Sequence, residues 1–138
     1  MHNRAEIVDQ NFKKFVAEGN FPTSQSSLRS SELAVSSEKL IEIFESQMMS
    51  RILDIKTREL RVGNHSFYTI GSSGHEGNAV LGHVTKVTDR AFLHYRNAPF
   101  MIQRSKEIPG QSILHDMLLS FVASCEDPIS GGRHKVLG

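Results

Sequence analysis

Only one stretch of this chain, residues 90–95, reads as a β-strand, and a single strand cannot make a sheet. Ala91, Phe92 and Leu93 follow one another there, the continuous apolar run of a strand buried on both faces of a parallel sheet. Every other patterned stretch is helical. The order is a long helix, a turn, a helix, the strand, two helices and a loop. That order predicts the opening of an α/β domain, mostly helical in the part present, with its remaining strands expected outside these 138 residues. Gly138 falls inside a glycine-rich loop, so the expectation is an N-terminal piece of a longer chain. No internal repeat is present.

Residues 1–37 read as an N-terminal helix and a serine-rich linker, and residues 38–138 as the domain proper. Val8, Phe12, Phe15 and Val16 recur at helical spacing, with Gly19 as a stop. They predict an amphipathic helix over 5–18 that docks on the body of the domain. Phe21-Pro22 breaks it, and serines crowd residues 23–37 in linker fashion. Ser37 then suits an N-cap. Ile41, Phe44, Met48, Ile52 and Ile55 step by three and four along one stripe. This predicts a long helix that turns the stripe into the core and stops at Gly63-Asn64. Arg51, Asp54, Arg58 and Arg61 fall on its solvated faces, and Met48 and Met49 read as core gap-fillers.

Farther along, residues 65–68 predict an extended lead-in to a glycine turn. Residues 75–87 predict a helix in which Gly82 marks a close approach to another backbone. Residues 97–105 follow as a helix with Pro99 in its first turn. Residues 111–124 follow as another, ended by Asp127-Pro128.

Composition narrows the function classes. Sixteen Lys and Arg stand against 15 Asp and Glu, so nothing calls for nucleic acid or an anionic membrane as partner. The single Cys125 cannot form an internal disulfide, which fits a reducing cytoplasm. No apolar run has the form of a signal peptide or the length of a membrane span. The expectation is a cytoplasmic chain.

Chemistry concentrates around the segment Gly71-Ser72-Ser73-Gly74-His75-Glu76-Gly77 and the pair Tyr95-Arg96. The glycine turn leads into a helix whose first N–H groups have no partner inside it, a setting for phosphate or carboxylate as much as for an ordinary cap. A guanidinium beyond the carboxyl end of a buried strand can hold a diphosphate through paired hydrogen bonds. Arg96 stands there, and the Tyr95 hydroxyl can add another. The competing reading of Arg96 is a surface ion pair at a helix start. Glu76 suits a first turn by its charge. His75 divides evenly between a ligand contact and a plain neighbour of the turn, and His94 reads as a packed histidine. Arg133, His134 and Lys135 make the final loop basic. His75-Glu76 with His83 misses the spacing of a His-Glu-x-x-His zinc site, and Gly71-Ser72-Ser73-Gly74 is not the Gly-x-Ser-x-Gly elbow of a hydrolase.

Gly74-His75-Glu76-Gly77, then Tyr95-Arg96, then Ser130-Gly131-Gly132-Arg133-His134-Lys135-Val136, in that order and spacing, resembles the thiamine diphosphate-dependent decarboxylating component of 2-oxo acid dehydrogenase complexes. The likeness is to the start of its alpha subunit, or of a fused alpha/beta chain, and covers about residues 38–138. It implies a three-layer α/β/α domain that binds thiamine diphosphate with magnesium, with Tyr95 and Arg96 on the diphosphate. His75 and His134 would then lie near the reacting centre. It also implies a beta subunit or fused beta region, a lipoyl acyltransferase as partner, and a dimer or heterotetramer. The substrate class would be pyruvate or a branched-chain 2-oxo acid such as 2-oxoisovalerate. This sequence departs from the family in having no Gly-Asp-Gly segment for the magnesium ion, so the 138 residues alone are expected to be inactive. The alternatives are a thiamine enzyme of transketolase or synthase type, and a non-catalytic helical module that binds a partner through the Val8, Phe12 and Phe15 face and the long helix.

Overall fold

A computed structural model describes residues 3–23, 28–66 and 71–133. The lead-in expected at Phe67 and Tyr68, part of the serine-rich linker and the end of the basic loop from His134 lie outside the described residues. In chain order the elements are α1 (Arg4–Glu18), a 3-10 turn (Ser30–Glu32), α2 (Ser37–Val62), α3 (Asn78–Val84), α4 (Ala98–Ser105) and α5 (Ile113–Phe121). Among the described residues none is a strand. Residues 91–94 are irregular and exposed, with Phe92 projecting fully into solvent. The strand expected there is corrected for a simple reason: extended backbone needs a neighbouring strand to satisfy its N–H and C=O groups, and none is at hand.

The core is built around α4. Its residues Pro99, Phe100, Ile102, Gln103, Arg104 and Ser105 are all buried, because α2, α3 and α5 pack against it from different sides. Leu53 of α2, Ile102 of α4 and Met117 of α5 form the apolar centre. Met49, Met101, Ile113, Leu114, Leu118 and Phe121 close around it. Pro99 is tolerated in the first turn of α4, where a missing N–H costs nothing.

α2 begins one residue earlier than the expected cap implies. Ser36, rather than Ser37, is the N-cap, and its side chain accepts the Lys39 N–H at 3.3 Å. The helix ends where Gly63-Asn64 predicts. Asn64 takes a left-handed φ of 58°, and the His65 N–H closes back on the Leu60 carbonyl at 2.9 Å. The face that α2 buries is not the expected one. Ile43, Ser46, Ser50, Leu53, Asp54 and Thr57 point inward, whereas Ile41, Phe44 and Ile52 are 59%, 58% and 58% exposed. Both sets repeat at helical spacing. The inward set wins because small hydroxyl residues let the α4 backbone come close and give its polar groups partners. Ser46 donates to Gln103 Oε1 at 2.8 Å, and Gln103 Nε2 donates to Glu42 Oε1 at 2.6 Å.

α3 is shorter than the expected 75–87. Residues 73–77 form turns, and the helix starts only at Asn78. Its buried residues are Ala79 and Gly82, so it meets α4 through its smallest side chains while Val80, Leu81 and Val84 remain exposed. The close approach expected at Gly82 is present. α1 touches α2 but docks lightly: Phe12, Phe15 and Val16 stay exposed, with Phe15 set edge-on to Phe21 at 5.4 Å.

A Cβ on residue 82 would sit 2.6 Å from the Phe100 carbonyl oxygen, and that backbone cannot yield without shifting α4. Gly82→Ala should therefore destabilise the fold by about 1–3 kcal/mol, the usual cost of overpacking, in urea denaturation followed by circular dichroism. A neutral result would mean that α3 is free to slide on α4.

Candidate functional site

Three segments singled out by their sequence converge on one side of the helical core. The first is the glycine turn. Gly71 and Ser72 are buried against α2, directly over the Asp54 carboxylate. A Cβ at residue 71 would lie 2.5 Å from Asp54 Cγ and Oδ2, so only glycine allows this contact. The Ser72 N–H favours the charged form of the carboxylate, whose Oδ2 is buried with no hydrogen-bond partner among the described residues. The turn then folds on itself: the His75 N–H donates to the Ser72 carbonyl at 2.8 Å, and Glu76 Oε2 accepts the Gly74 N–H at 2.8 Å.

The second is the Tyr95-Arg96 pair. Arg96 reaches back across 25 residues, and its Nη1 donates to the Gly71 carbonyl at 2.7 Å. Close by, Asn78 Nδ2 donates to Asn97 Oδ1 at 2.9 Å. Turn and pair are thus tied together once directly and once through their flanking residues. The guanidinium carries five N–H donors, and this bond to Gly71 engages one of them. The Tyr95 ring lies between the His94 ring, 3.7 Å away between centroids, and the Arg96 guanidinium, 5.5 Å from the Tyr95 centroid.

The third is the loop after α5. Asp127, 3% exposed, gathers the Ser130 hydroxyl and the Ile129 N–H, the latter at 3.0 Å. Burial pushes its carboxyl upward. The hydroxyls of Ser130 and Ser120 and the N–H groups of Ile129 and Ser130 outweigh that and hold it below the usual carboxylate range. Asp127 is therefore an anion that shapes the loop, and Arg133 Nε closes the loop on the Ser130 carbonyl at 2.9 Å.

Between the second and third segments lies a cleft of about 40 Å³ lined by His94, Tyr95, Met101, Ile113, Met117 and Phe121, with Asp116, Ser120 and Asp127 also on its walls. The lining is mostly apolar. Its charged groups are carboxylates, and the nearest cation in sequence, Arg96, stands beside it next to Tyr95. At that volume the cleft admits a small apolar group rather than an aromatic ring, and an anion would find its donors at the Tyr95-Arg96 edge.

Of the sequence-predicted site residues, Tyr95 and Arg96 come together here. His75 lies exposed on the glycine turn, and His134 is outside the described residues. Among the described residues no three His, Cys, Asp or Glu side chains come together as a metal would need, and no helix is long and apolar enough to cross a membrane. Sequence reasoning missed Asp54, which it set on a solvated face and which is 5% exposed. Ser46, Ser50, Asp54 and Thr57 form a second period along α2, and that polar stripe was the available signal. Protein-family models, curated proteins and solved structures give no match to the chain.

Burial raises the Asp54 carboxyl above its ordinary range. The Ser72 N–H and the Arg51 and Arg58 guanidiniums oppose this, and Glu76 adds to it. A carboxyl raised on folding stabilises fully below its unfolded value, and that contribution fades as pH rises through the folded value. Asp54→Asn keeps an acceptor for Ser72 without the charge. Its melting temperature should therefore gain on that of the unaltered protein as the pH is raised from about 4, the unfolded carboxyl value, toward neutral. A difference that stays constant over that range in thermal melts would show that Asp54 is not the titrating group.

Proposed function

We propose that this chain is the opening part of the decarboxylating component of a 2-oxo acid dehydrogenase complex, acting on pyruvate or a branched-chain 2-oxo acid and passing the acyl group to a lipoyl carrier. The observation that carries the reading is the bond from Arg96 to the Gly71 carbonyl. Two motifs that the family resemblance requires, distant in sequence, are held side by side, and the cleft joins the second to the glycine loop after α5. In this reading the helices belong to a three-layer α/β/α domain completed by further strands. A beta subunit or fused beta region, a lipoyl acyltransferase and a dimeric or heterotetrameric assembly go with it.

The residues present offer donors for the diphosphate of thiamine diphosphate, but neither room for its rings nor ligands for its metal. Tyr95 and the donors of Arg96 beyond the one bonded to Gly71 would hold the diphosphate, while the rings would need space that the small cleft does not provide. The described residues offer no ligand set for magnesium, which this reading assigns to a Gly-Asp-Gly segment of the longer chain. When bound, the cofactor supplies a nucleophilic carbon and an electron sink for decarboxylation. This chain's part is to orient it: Asp54 fixes the glycine turn, the turn fixes Arg96, and Asp127 holds the loop leading to His134. His75 and His134 remain candidates for contacts to substrate. A transketolase- or synthase-type thiamine enzyme is the nearest variant. The second reading, a non-catalytic helical interaction module, is favoured by one observation, the outward apolar stripe of α2.

The deciding assay uses the protein made from its complete reading frame with any subunit that copurifies. It measures thiamine diphosphate- and magnesium-dependent release of carbon dioxide from pyruvate and from a branched-chain 2-oxo acid. We expect turnover, with Arg96→Ala weakening cofactor affinity at least about tenfold, or about 1.4 kcal/mol, and Tyr95→Phe weakening it less. No turnover on either acid, or an Arg96→Ala protein with unaltered cofactor affinity, sinks the reading.

A further inference from the structure

The apolar stripe of α2 lies on the face turned away from the core. With α1 in place, Ile41, Phe44 and Ile52 remain more than half exposed, Met48 and Ile55 are half-buried, and the opposite face of α2 is the one committed to α4. From Ile41 to Ile55 the residues step by three, four, four and three. That spacing is symmetric about Met48. Laid antiparallel across a two-fold axis at Met48, the stripe meets itself: Ile41 opposite Ile55, Phe44 opposite Ile52, Met48 opposite Met48. At 1.5 Å per residue the seam runs about 21 Å.

Charge selects the same arrangement. The first half of α2, Ser37 to Met48, carries three acids (Glu38, Glu42, Glu45) and one base (Lys39). The second half, Met49 to Val62, carries four bases (Arg51, Lys56, Arg58, Arg61) and two acids (Asp54, Glu59). An antiparallel pair sets each acidic half against a basic one, while a parallel pair would set like against like. At 3.6 residues per turn, Glu38, Glu45 and Lys56 fall on one flank of the stripe. In a two-fold pair like flanks meet, so Glu38 of one copy comes within about 3 Å, along the axis, of the level of Lys56 in the other. Glu38 is exposed, and the Lys56 side chain is 59% exposed while pairing with Glu59 of its own helix at 2.8 Å, a bond it would share with Glu38 of the other copy.

We propose that the protein forms a two-fold symmetric dimer through antiparallel pairing of α2 centred on Met48. Isologous contacts require a surface that is self-complementary, and this stripe is so both in spacing and in charge. The proposal does not rest on the decarboxylase reading, because it uses none of the residues of the cleft.

Light scattering coupled to size exclusion across a concentration series should give a species of twice the 15.4 kDa chain mass. Phe44→Glu should convert it to the single-chain mass without loss of helix, since Phe44 is 58% exposed and contributes little to the core. The register is read by a cysteine at the axis. Met48→Cys in a Cys125→Ser background should oxidise to a disulfide-linked dimer, whereas Phe92→Cys in the same background should not. Glu38→Lys should weaken association at least about tenfold, and adding Lys56→Glu should restore it. A single-chain mass at every concentration overturns the proposal, and so does a dimer indifferent to Phe44→Glu. Failure of Met48→Cys to cross-link overturns the antiparallel register.

Discussion

The contact on which the rest of the molecule depends is the polar junction between α2 and α4. Gln103 is wholly buried, and a buried amide is tolerable only when its donors and acceptors find partners. Ser46 and Glu42 satisfy it from successive turns of α2. Glu42 is itself held below the ordinary carboxylate range, first by the Lys39 ammonium and then by Gln103, against the upward push of burial. Lys39 bonds Glu42 at 2.8 Å, and Lys106 caps the Glu42 carbonyl at 2.8 Å. The junction thus sets the register of α4 on α2 through directional bonds. An apolar seam of Leu53, Ile102 and Met117 would tolerate sliding far more readily.

With α4 placed, both ends of the candidate site follow. The segment before α4 carries Tyr95 and Arg96, and α3 is locked to α4 where Gly82 meets the Phe100 carbonyl. Arg104 holds the intervening loop through the carbonyls of Lys86 and Asp89 while lying over the Phe100 ring. A buried arginine spent on two carbonyls is a positioning device, and Arg96 on Gly71 repeats the pattern nearby. Asp54 completes it from below. Its burial is unfavourable for an anion, and the Ser72 N–H and the neighbouring guanidiniums offset that cost only in part, since the carboxyl stays above its ordinary range. A buried carboxyl shifted in this way is more usual where geometry serves a ligand than where it only fills space.

Much of this was legible in the sequence because the signals were local. Helix stops at Gly19 and Gly63-Asn64, the tolerated Pro99 and the close approach at Gly82 each follow from what one residue can or cannot do. The bond from Arg96 to the glycine turn was not legible, since nothing local to Arg96 says that its partner is Gly71. Two readings failed for one shared reason. The apolar run at residues 91–93 and the stripe from Ile41 to Ile55 were both taken as buried because they are apolar, yet burial needs a partner surface as well as a hydrophobic residue. The inward face of α2 went unread because Ser46, Ser50 and Thr57 look like solvent residues until a neighbouring helix needs close contact and, at Ser46, a hydrogen-bond partner.

That inversion makes α2 two-faced in an unusual sense. Its polar, small-residue face is internal, where directional bonds fix register, and its apolar face is external, where non-directional burial would reward any cover. A helix exposing Ile41, Phe44 and Ile52 in one line is under constant pressure to lose that surface, by about 25 cal/mol for each Å² removed from water. Monomeric domains rarely carry such a continuous strip unless it is used. The division of labour is physically coherent, because specificity within the chain comes from hydrogen bonds that cannot slip. Association then needs only area, symmetric spacing and charges that reject the parallel alternative. The same helix that positions Asp54 under the glycine turn thus also carries the face left for another surface.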